Sequence, residues 1–555
     1  MTARIAGNDY RSLTPPPLGA WTPSLRVSVV IPAYGDQEKL DLALAGLAVQ
    51  TYPAALTEVI VVDNGSSPPL RLPELRPEGT GLIVCPTPGR AHARNAGLSA
   101  ATGDVIHWLD SDVVLDRRSV EAHMRWHHAA PYLAVTGYLR FTPARLPAPE
   151  AVAAADDLAE LFEPAEPHAW LVDLVERTDG LTANPHRAFS LHVGGATSVN
   201  AALLAAAGPM DTDLILGQDT EMGYRLAQAG AVFVPEPLSR AFHLGPTMRM
   251  RDKAPIDRIS HAFVADRIPS YRWLRSHPGR QWKVPYLEVV VEPGEGTGYS
   301  YDEVRATVDA VLAGTLPDVA VTLAGPWDGI GTEGRAPLKD PDLDLVLIRG
   351  HYAHEPRVRF VEEAPVTSAP YRLRLPAGWV PGDDTLARLL DLAGDDGYGL
   401  VAVLLAEGGQ DGEGGAGAER MIVAARLERA AAFARAVIVL EEGEDLDDAV
   451  ADTFGVVWVD GETYGFASEA RPIVGRRGAH RARIEAEAQV ARLTRENERL
   501  RGQVTKWRDE AGRWRKSAVE LRREVGTLRK ELAAARKIVQ YGLLSSVKRA
   551  ITRRR

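Results

Sequence analysis

Short apolar runs punctuate the first 110 residues, and each stops on polar ones. Val27-Ser28-Val29-Val30-Ile31 is broken at its carboxyl end by Pro32. Glu58-Val59-Ile60-Val61-Val62 ends at the turn signal Asp63-Asn64-Gly65-Ser66, and Val105-Ile106-His107-Trp108-Leu109 ends at Asp110-Ser111-Asp112. Between them, Leu40, Leu44 and Leu47 recur at helical spacing, and residues 89–103 suit a second helix. Near-continuous apolar runs of this length suit strands buried on both faces. Their alternation with helices predicts an α/β fold, a parallel doubly wound sheet that collects ligands at its strand ends.

The pattern restarts in the second half. Tyr286 to Val291 predicts a strand, Asp302 to Ala313 a helix and Val319 to Leu323 another strand, an order that echoes residues 27–62. Tyr371 to Trp379 then stands where the acidic strand end would be expected, without the carboxylates. Two readings stay open: a degenerate repeat of the first domain that has lost its metal site, or an unrelated α/β domain. Gly408 to Gly417 reads as a flexible loop. From 478 to 540 the spacing changes to heptads. Val490, Asn497, Val504, Val525 and Leu532 fall on a sites, and Leu493, Leu500, Trp507, Trp514, Leu521 and Leu528 on d sites. This predicts a coiled coil, which Asn497 biases towards a parallel homodimer. The expected division is a flexible N-terminus at 1–25, a first domain at 26–280, a second α/β domain at 281–470, the coiled coil and a basic amphipathic tail at 541–555.

Composition changes this picture little. A chain of 555 residues with 45% hydrophobic and 25% charged content is ordinary for a globular protein of two or three domains. One cysteine, Cys85, excludes an internal disulfide and fits a reducing, cytoplasmic setting. The start carries Pro15-Pro16-Pro17 and no apolar core of a signal peptide, and no 18-residue apolar run predicts a membrane span. Charge is more telling. The net charge of -10 conceals 24 Lys+Arg against 9 Asp+Glu from Arg476 onward, +15, which leaves -25 on the remainder. The tail could lie on an anionic membrane surface, giving peripheral contact at the inner face, or fray as a basic end. Nucleic acid is disfavoured as a partner, because the basic positions lack interleaved aromatics and a recognised module.

Asp110 and Asp112 can aim at one hard cation, which binds through one or two carboxylates plus substrate phosphates. Asp-x-Asp alone is a weak signal, since Asp112 or Asp116 could equally cap a helix. Five motifs in order, VSVVIPAY, VVDNGS, GRAHARNAG, HWLDSD and GQDTEMGYRL, together resemble the family 2 glycosyltransferases of the GT-A fold over roughly residues 26–250. The resemblance implies transfer of a sugar from a nucleoside diphosphate donor with Mn²⁺ or Mg²⁺. It puts Pro32, Ala33 and Tyr34, with Asp36 as a polar neighbour, at the base and ribose. Asp63 would accept from a uracil imide, or serve as a turn-forming residue. Arg90 and Arg94 would sit near the phosphates, Asp110 would face ribose and metal, and Asp112 and His243 would be direct metal ligands. Gly195, in the small-residue loop Gly194 to Asn200, would let the donor sugar approach the backbone. Asp219 would be the general base, with Gln218 where the family usually has Glu, and Glu221 beside them. Arg249, Arg251 and Lys253 would form a loop able to close over the diphosphate.

The expectation is therefore an inverting transferase that moves sugar, with UDP as the expected carrier, to a hydroxyl of a cell-surface glycan or lipid-linked acceptor. The rival is an assembly scaffold with a weakened transferase domain, suggested by Gln218 and by the metal-free second domain. A nucleotidyltransferase is disfavoured because Pro32-Ala33-Tyr34 supplies no glycine-rich activating loop.

Overall fold

The computed structural model describes residues 2–468, except 144–145, 184, 278, 294–297, 331–336 and 409–420. Beyond these it describes 497, 499–502, 504, 506–508 and 512–536. Residues 1–473 form one compact unit and 474–555 a second.

Nine strands make the first sheet: β1 (Val27–Ala33), β2 (Thr57–Asp63), β3 (Thr80–Val84), β4 (Val105–Leu109), β5 (Val113–Leu115), β6 (Leu133–Thr142), β7 (Glu166–Pro167), β8 (Ala196–Asn200) and β9 (Val232–Leu244). Their order is β3-β2-β1-β4-β8-β6-β9-β5, with β7 on β6. The predicted strands are β1, β2 and β4, parallel and adjacent in the order β2-β1-β4. Every residue of β4 is buried, which is why its sequence is apolar without alternation. Helices α1 (Gln37–Ala48), α2 (Arg90–Ala100) and α3 (Ser119–His127) pack on its faces; α4 (Ala201–Ala207) and α5 (Gln218–Gln228) precede β9.

A second sheet holds β10 (Leu287–Glu292), β11 (Val319–Ala324), β12 (Val358–Val361), β13 (Tyr371–Pro376), β15 (Leu400–Gly408), β16 (Met421–Arg429) and β17 (Val456–Asp460). Two short strands, β14 (Trp379–Pro381) and β18 (Phe466–Ser468), pair separately. The sheet order β12-β11-β10-β13-β16-β15-β17 repeats the first seven positions of the first sheet. Strand directions repeat as well. β13 meets β16 antiparallel as β4 meets β8, and β15 runs parallel to β17 as β6 does to β9. Two helices, α8 (Ala430–Val439) and α9 (Leu446–Thr453), again precede the last strand. The topology therefore favours the duplicated over the unrelated reading. After β13 the turn is Ala377-Gly378, and the first turn of α9 has Asp447 bound by both arms of Arg426 at 2.7 and 2.8 Å. Arg374 likewise pairs with Glu292 at 3.0 Å and Glu428 at 3.3 Å. Charge at this second strand edge is satisfied internally.

The N-terminus, expected to be flexible, is instead a strap. Ile5 is fully buried among Trp126, Tyr132 and Val439, and the Asn8 side chain exchanges two hydrogen bonds with the Phe233 backbone as a neighbouring strand would. Further along, Glu121 accepts from Gly19 N at 2.6 Å and Trp21 Nε1 at 3.0 Å. A proline-rich sequence signals lack of regular structure, and here it runs extended along the body. Arg4 pairs with Glu444 and Asp452, which ties the strap to the second sheet domain. Buried Arg435 of α8 donates to Ile5 and Gly7 on the strap and to Gly230 and Ala231 after α5.

In the second unit, residues 512–536 are helical. Trp514, Leu521, Val525, Leu528 and Leu532 leave 47–73% of their surface exposed. Residues 478–496 of the heptad segment, the basic tail and most of the glycine-rich stretch lie outside the described residues. Among the described residues, no helix is long and apolar enough to cross a membrane.

Candidate active site

The first sheet presents its acidic residues at the carboxyl edge of β4. Asp110-Ser111-Asp112 turn directly from β4 into β5, and β5 pairs antiparallel with β9 so that Val113 stands opposite His243. That register brings His243 Nε2 to 3.6 Å from Asp112 Oδ1. The other ring nitrogen, Nδ1, lies 2.8 Å from the Gly245 carbonyl, which can only accept, so Nδ1 carries the proton. Nε2 is therefore the ring atom left to face Asp112 and the one that could bind a cation beside it. Burial holds the Asp112 carboxyl above the usual range, with Asp110 adding to the rise against the opposing pull of His243.

Asp110 is engaged elsewhere. Arg94, 5% exposed on α2, donates to Asp110 Oδ1 at 3.1 Å and with its other arm to Asp219. One buried guanidinium thus bridges the strand-end carboxylate and the first turn of α5. Burial alone would raise the Asp219 carboxyl, but Arg94, with His192 and Arg90, outweighs it and holds the group below the ordinary range. His192 Nδ1 donates to the Asp219 carbonyl at 2.8 Å, and burial lowers this imidazole to about 4. Nothing in the sequence flagged His192; its position depends on the fold around α5. Among the described residues, no group of three His, Cys, Asp or Glu is arranged to enclose a metal ion. Of the expected metal set, Asp112 and His243 approach each other and Asp110 is turned to Arg94.

A cavity of about 480 Å³ opens over these groups, lined by Pro32, Ala33, Tyr34 and Asn64 on one side and by Asp110, Asp112, Asp219 and His243. Arg90, Arg249 and Arg251 also line it. The segment expected to be a basic loop is helical, as α6 (Met248–Arg251) and α7 (Lys253–Val264), with Arg249 paired to Asp257 at 2.8 Å.

Other expected site residues serve the scaffold. Asp36 caps α1 by accepting from Lys39 N at 3.3 Å and does not line the cavity. Asp63 is 3% exposed and accepts from Ser66 N at 2.8 Å and Leu70 N at 3.0 Å, so its oxygens organise the 63–70 turn. Burial opposes its ionisation, yet the donors of Ser66, Leu70 and Gly65 leave its carboxyl below the usual range. Gln218 is buried and donates to the Leu214 and Ile215 carbonyls at 2.6 and 3.0 Å, away from the cavity. Glu221 accepts from Arg225 Nε at 2.7 Å and Nη2 at 2.9 Å. A Cβ at Gly195 would stand 2.7 Å from Asp110 Oδ2, and one on Gly194 would overlap Arg94. The glycine pair makes room for the protein's own bridge.

Comparison with known proteins bears on this edge. Residues 28–151 match the model of glycosyl transferase family 2. The first sheet domain is a family 2 glycosyltransferase domain. Chondroitin synthase of Escherichia coli is 25% identical over 370 residues, 61% of this chain and 50% of that protein. A pre-mycofactocin glycosyltransferase of Mycobacterium tuberculosis is 30% identical over 235 residues, 41% of this chain and 44% of its own. Validoxylamine A glucosyltransferase of Streptomyces hygroscopicus is 29% identical over 279 residues, 45% of this chain and 57% of its own. The chain thus spans about half the length of the curated relatives it matches. A solved mannosyltransferase from Pyrobaculum calidifontis, in complex with GDP-Man and Mn2+, aligns over 44% of this chain and 65% of its own, at 20% identity and TM-score 0.30. In this chain the matched residues hold the adjacent strands β2, β1 and β4, with the acidic turn after β4.

Proposed function

We propose that the protein is an inverting glycosyltransferase that uses a nucleoside-diphosphate sugar. The observation that carries this is the convergence of Asp110, Asp112, His243 and Asp219, from three separate segments, on one cavity. Pro32, Ala33, Tyr34 and Asn64 would receive the nucleoside, and Arg90, Arg249 and Arg251 the diphosphate. Asp112 and His243 suit a divalent cation whose remaining ligands are diphosphate oxygens. Such an ion supplies Lewis acidity to the leaving group. Asp219 stays ionised because Arg94 opposes its protonation, and it accepts the proton of the acceptor hydroxyl as that oxygen attacks the anomeric carbon. The bond to the diphosphate breaks as the new glycosidic bond forms, so a single displacement inverts the centre. Asp63 keeps acceptor capacity beyond its two backbone bonds, and the base is left to be assigned by measurement. The acceptor we infer is a glycan or lipid-linked glycan hydroxyl.

A screen of nucleotide sugars for diphosphate release with Mn²⁺ tests this. Wild type should turn over at least one donor, and Asp219→Asn should lose about 10²–10⁴-fold in rate while still binding it. Tight donor binding without turnover on any acceptor would instead favour the scaffold reading.

A further inference from the structure

Helix α7 covers the catalytic cavity with one side and meets solvent with the other. On the inner side Ile256 lines the cavity. Ser260 and Val264 pack against Gly217, two residues before Asp219, so closely that a Cβ there would stand 2.9 Å from Ser260 Oγ and 2.6 Å from Val264 Cγ1. The opposite stripe, Ala254, Pro255, Arg258, Ile259 and Ala262, is exposed. Its repeat of four residues keeps it on one face of the helix.

That face does not look like an ordinary solvated one. It carries one charge, Arg258, and no acid, whereas a solvated helix face is polar and mixes both signs. Met250, 51% exposed, stands just before it between exposed Arg249 and Arg251. At the far end Trp273, 60% exposed, sets its ring edge-on to His261 with centroids 4.9 Å apart. Acids nearby do little to cancel the basic groups, because Asp257 is taken by Arg249 at 2.8 Å. Residues 246–283 hold nine Lys+Arg against three Asp+Glu, +6 inside a body of -25.

Area and sign select the occupant. The twelve residues of α7 offer a strip about 18 Å long and about 10 Å wide. Its area of roughly 180 Å² is far below the roughly 800 Å² per partner of a stable protein complex. The segment 541–555 is basic as well, so it has no charge complementarity to this face. A lipid surface needs no large matched area. Single apolar side chains enter between headgroups, each basic residue adds its own attraction to anionic ones, and tryptophan favours that boundary.

We propose that the outer face of α7, with Met250 and Trp273, docks on an anionic lipid surface. About one helix diameter, roughly 10 Å, then separates the headgroups from the catalytic cavity. The acceptor hydroxyl is accordingly one presented at that surface; this consequence rests on the transferase reading above, and the docking itself does not.

The test sediments the full chain with vesicles of equal parts phosphatidylglycerol and phosphatidylcholine, and with phosphatidylcholine alone. Wild type should bind the first, leave the second unbound, and come off the first as salt is raised. Arg258→Gln should weaken binding about fivefold, the loss of one basic contact. Ile259→Ser should weaken it about tenfold, the loss of one inserted apolar side chain. Both side chains lie on the face away from the cavity, so both variants should keep the wild-type melting temperature and donor turnover. The proposal is overturned if wild type binds neither vesicle or both equally. It is also overturned if both variants bind as wild type does, which would assign the contact to another part of the chain. A variant that binds vesicles normally but loses self-association would give the face to a second copy, and overturn it too. Vesicle binding by a chain that turns over no nucleotide sugar would overturn the transferase reading alone.

Discussion

Arg94 holds Asp110 with one arm and Asp219 with the other, a geometry that a forked guanidinium can make and a single ammonium cannot. Arg94→Lys is expected to weaken the pull on Asp219, whose carboxyl then rises towards the ordinary range. The base is active when ionised, so the acid limb of the kcat/KM profile should move to higher pH; an unmoved limb would separate Arg94 from the base. Gly195→Ala should cost activity by pushing Asp110 off this bridge, with little change in secondary structure by circular dichroism. Away from the site, His107, His123 and His127 are buried together, and His107 has no hydrogen-bond partner for either ring nitrogen. Burial lowers His107 to about 4 and, with His107 and His128 adding, His127 to about 3. These groups bind protons more readily unfolded, near 6.5, than folded. Stability should therefore fall as pH drops from about 6.5 to about 4, by up to about 1.4 kcal/mol per pH unit for each histidine. His107→Phe should flatten that slope in thermal melts. Part of this scale was legible in the sequence: Asp112 follows a strand end and Asp219 starts a helix, where local order alone puts them at an edge, whereas His243 lies inside β9 and is placed by its pairing with β5. Asp36, Asp63 and Gln218 hold local backbone in this structure, and a polar side chain beside a ligand site and one that caps a turn have the same local sequence.

α5 connects the catalytic edge to the second domain. Its first turn carries Asp219, Tyr224 donates to the Ser368 carbonyl at 2.9 Å, and Arg435 holds the backbone just past its end. Arg435→Met leaves buried carbonyls without a donor and should destabilise the unit by several kcal/mol, read as a lower denaturation midpoint. Tyr224→Phe removes one bond and should leave the melting temperature almost unchanged, so a drop in kcat at constant donor KM would mark the helix as positioned from its far side. The strands of the second sheet were visible as apolar runs, but their repeated order was not. Pairings such as β13 with β16 join residues more than fifty positions apart and leave no local mark.

For the whole molecule, the second unit carries the exposed apolar stripe Trp514, Leu521, Val525, Leu528 and Leu532. We propose that a second copy covers it. Sedimentation should give a dimer for the full chain and a monomer for a chain ending at 473, both with the same donor turnover. A full-length monomer at working concentration would exclude pairing through this helix.

The strap at residues 4–8 has its own kinetic outcome. Arg435, Glu444 and Asp452, which fasten it, are made hundreds of residues after it. Contacts of such long sequence separation close slowly. Before synthesis passes residue 452 Ile5 can rest on Trp126 and Tyr132 but lacks Val439 and the ion pairs of Arg4, so the last fastening step requires both sheet domains.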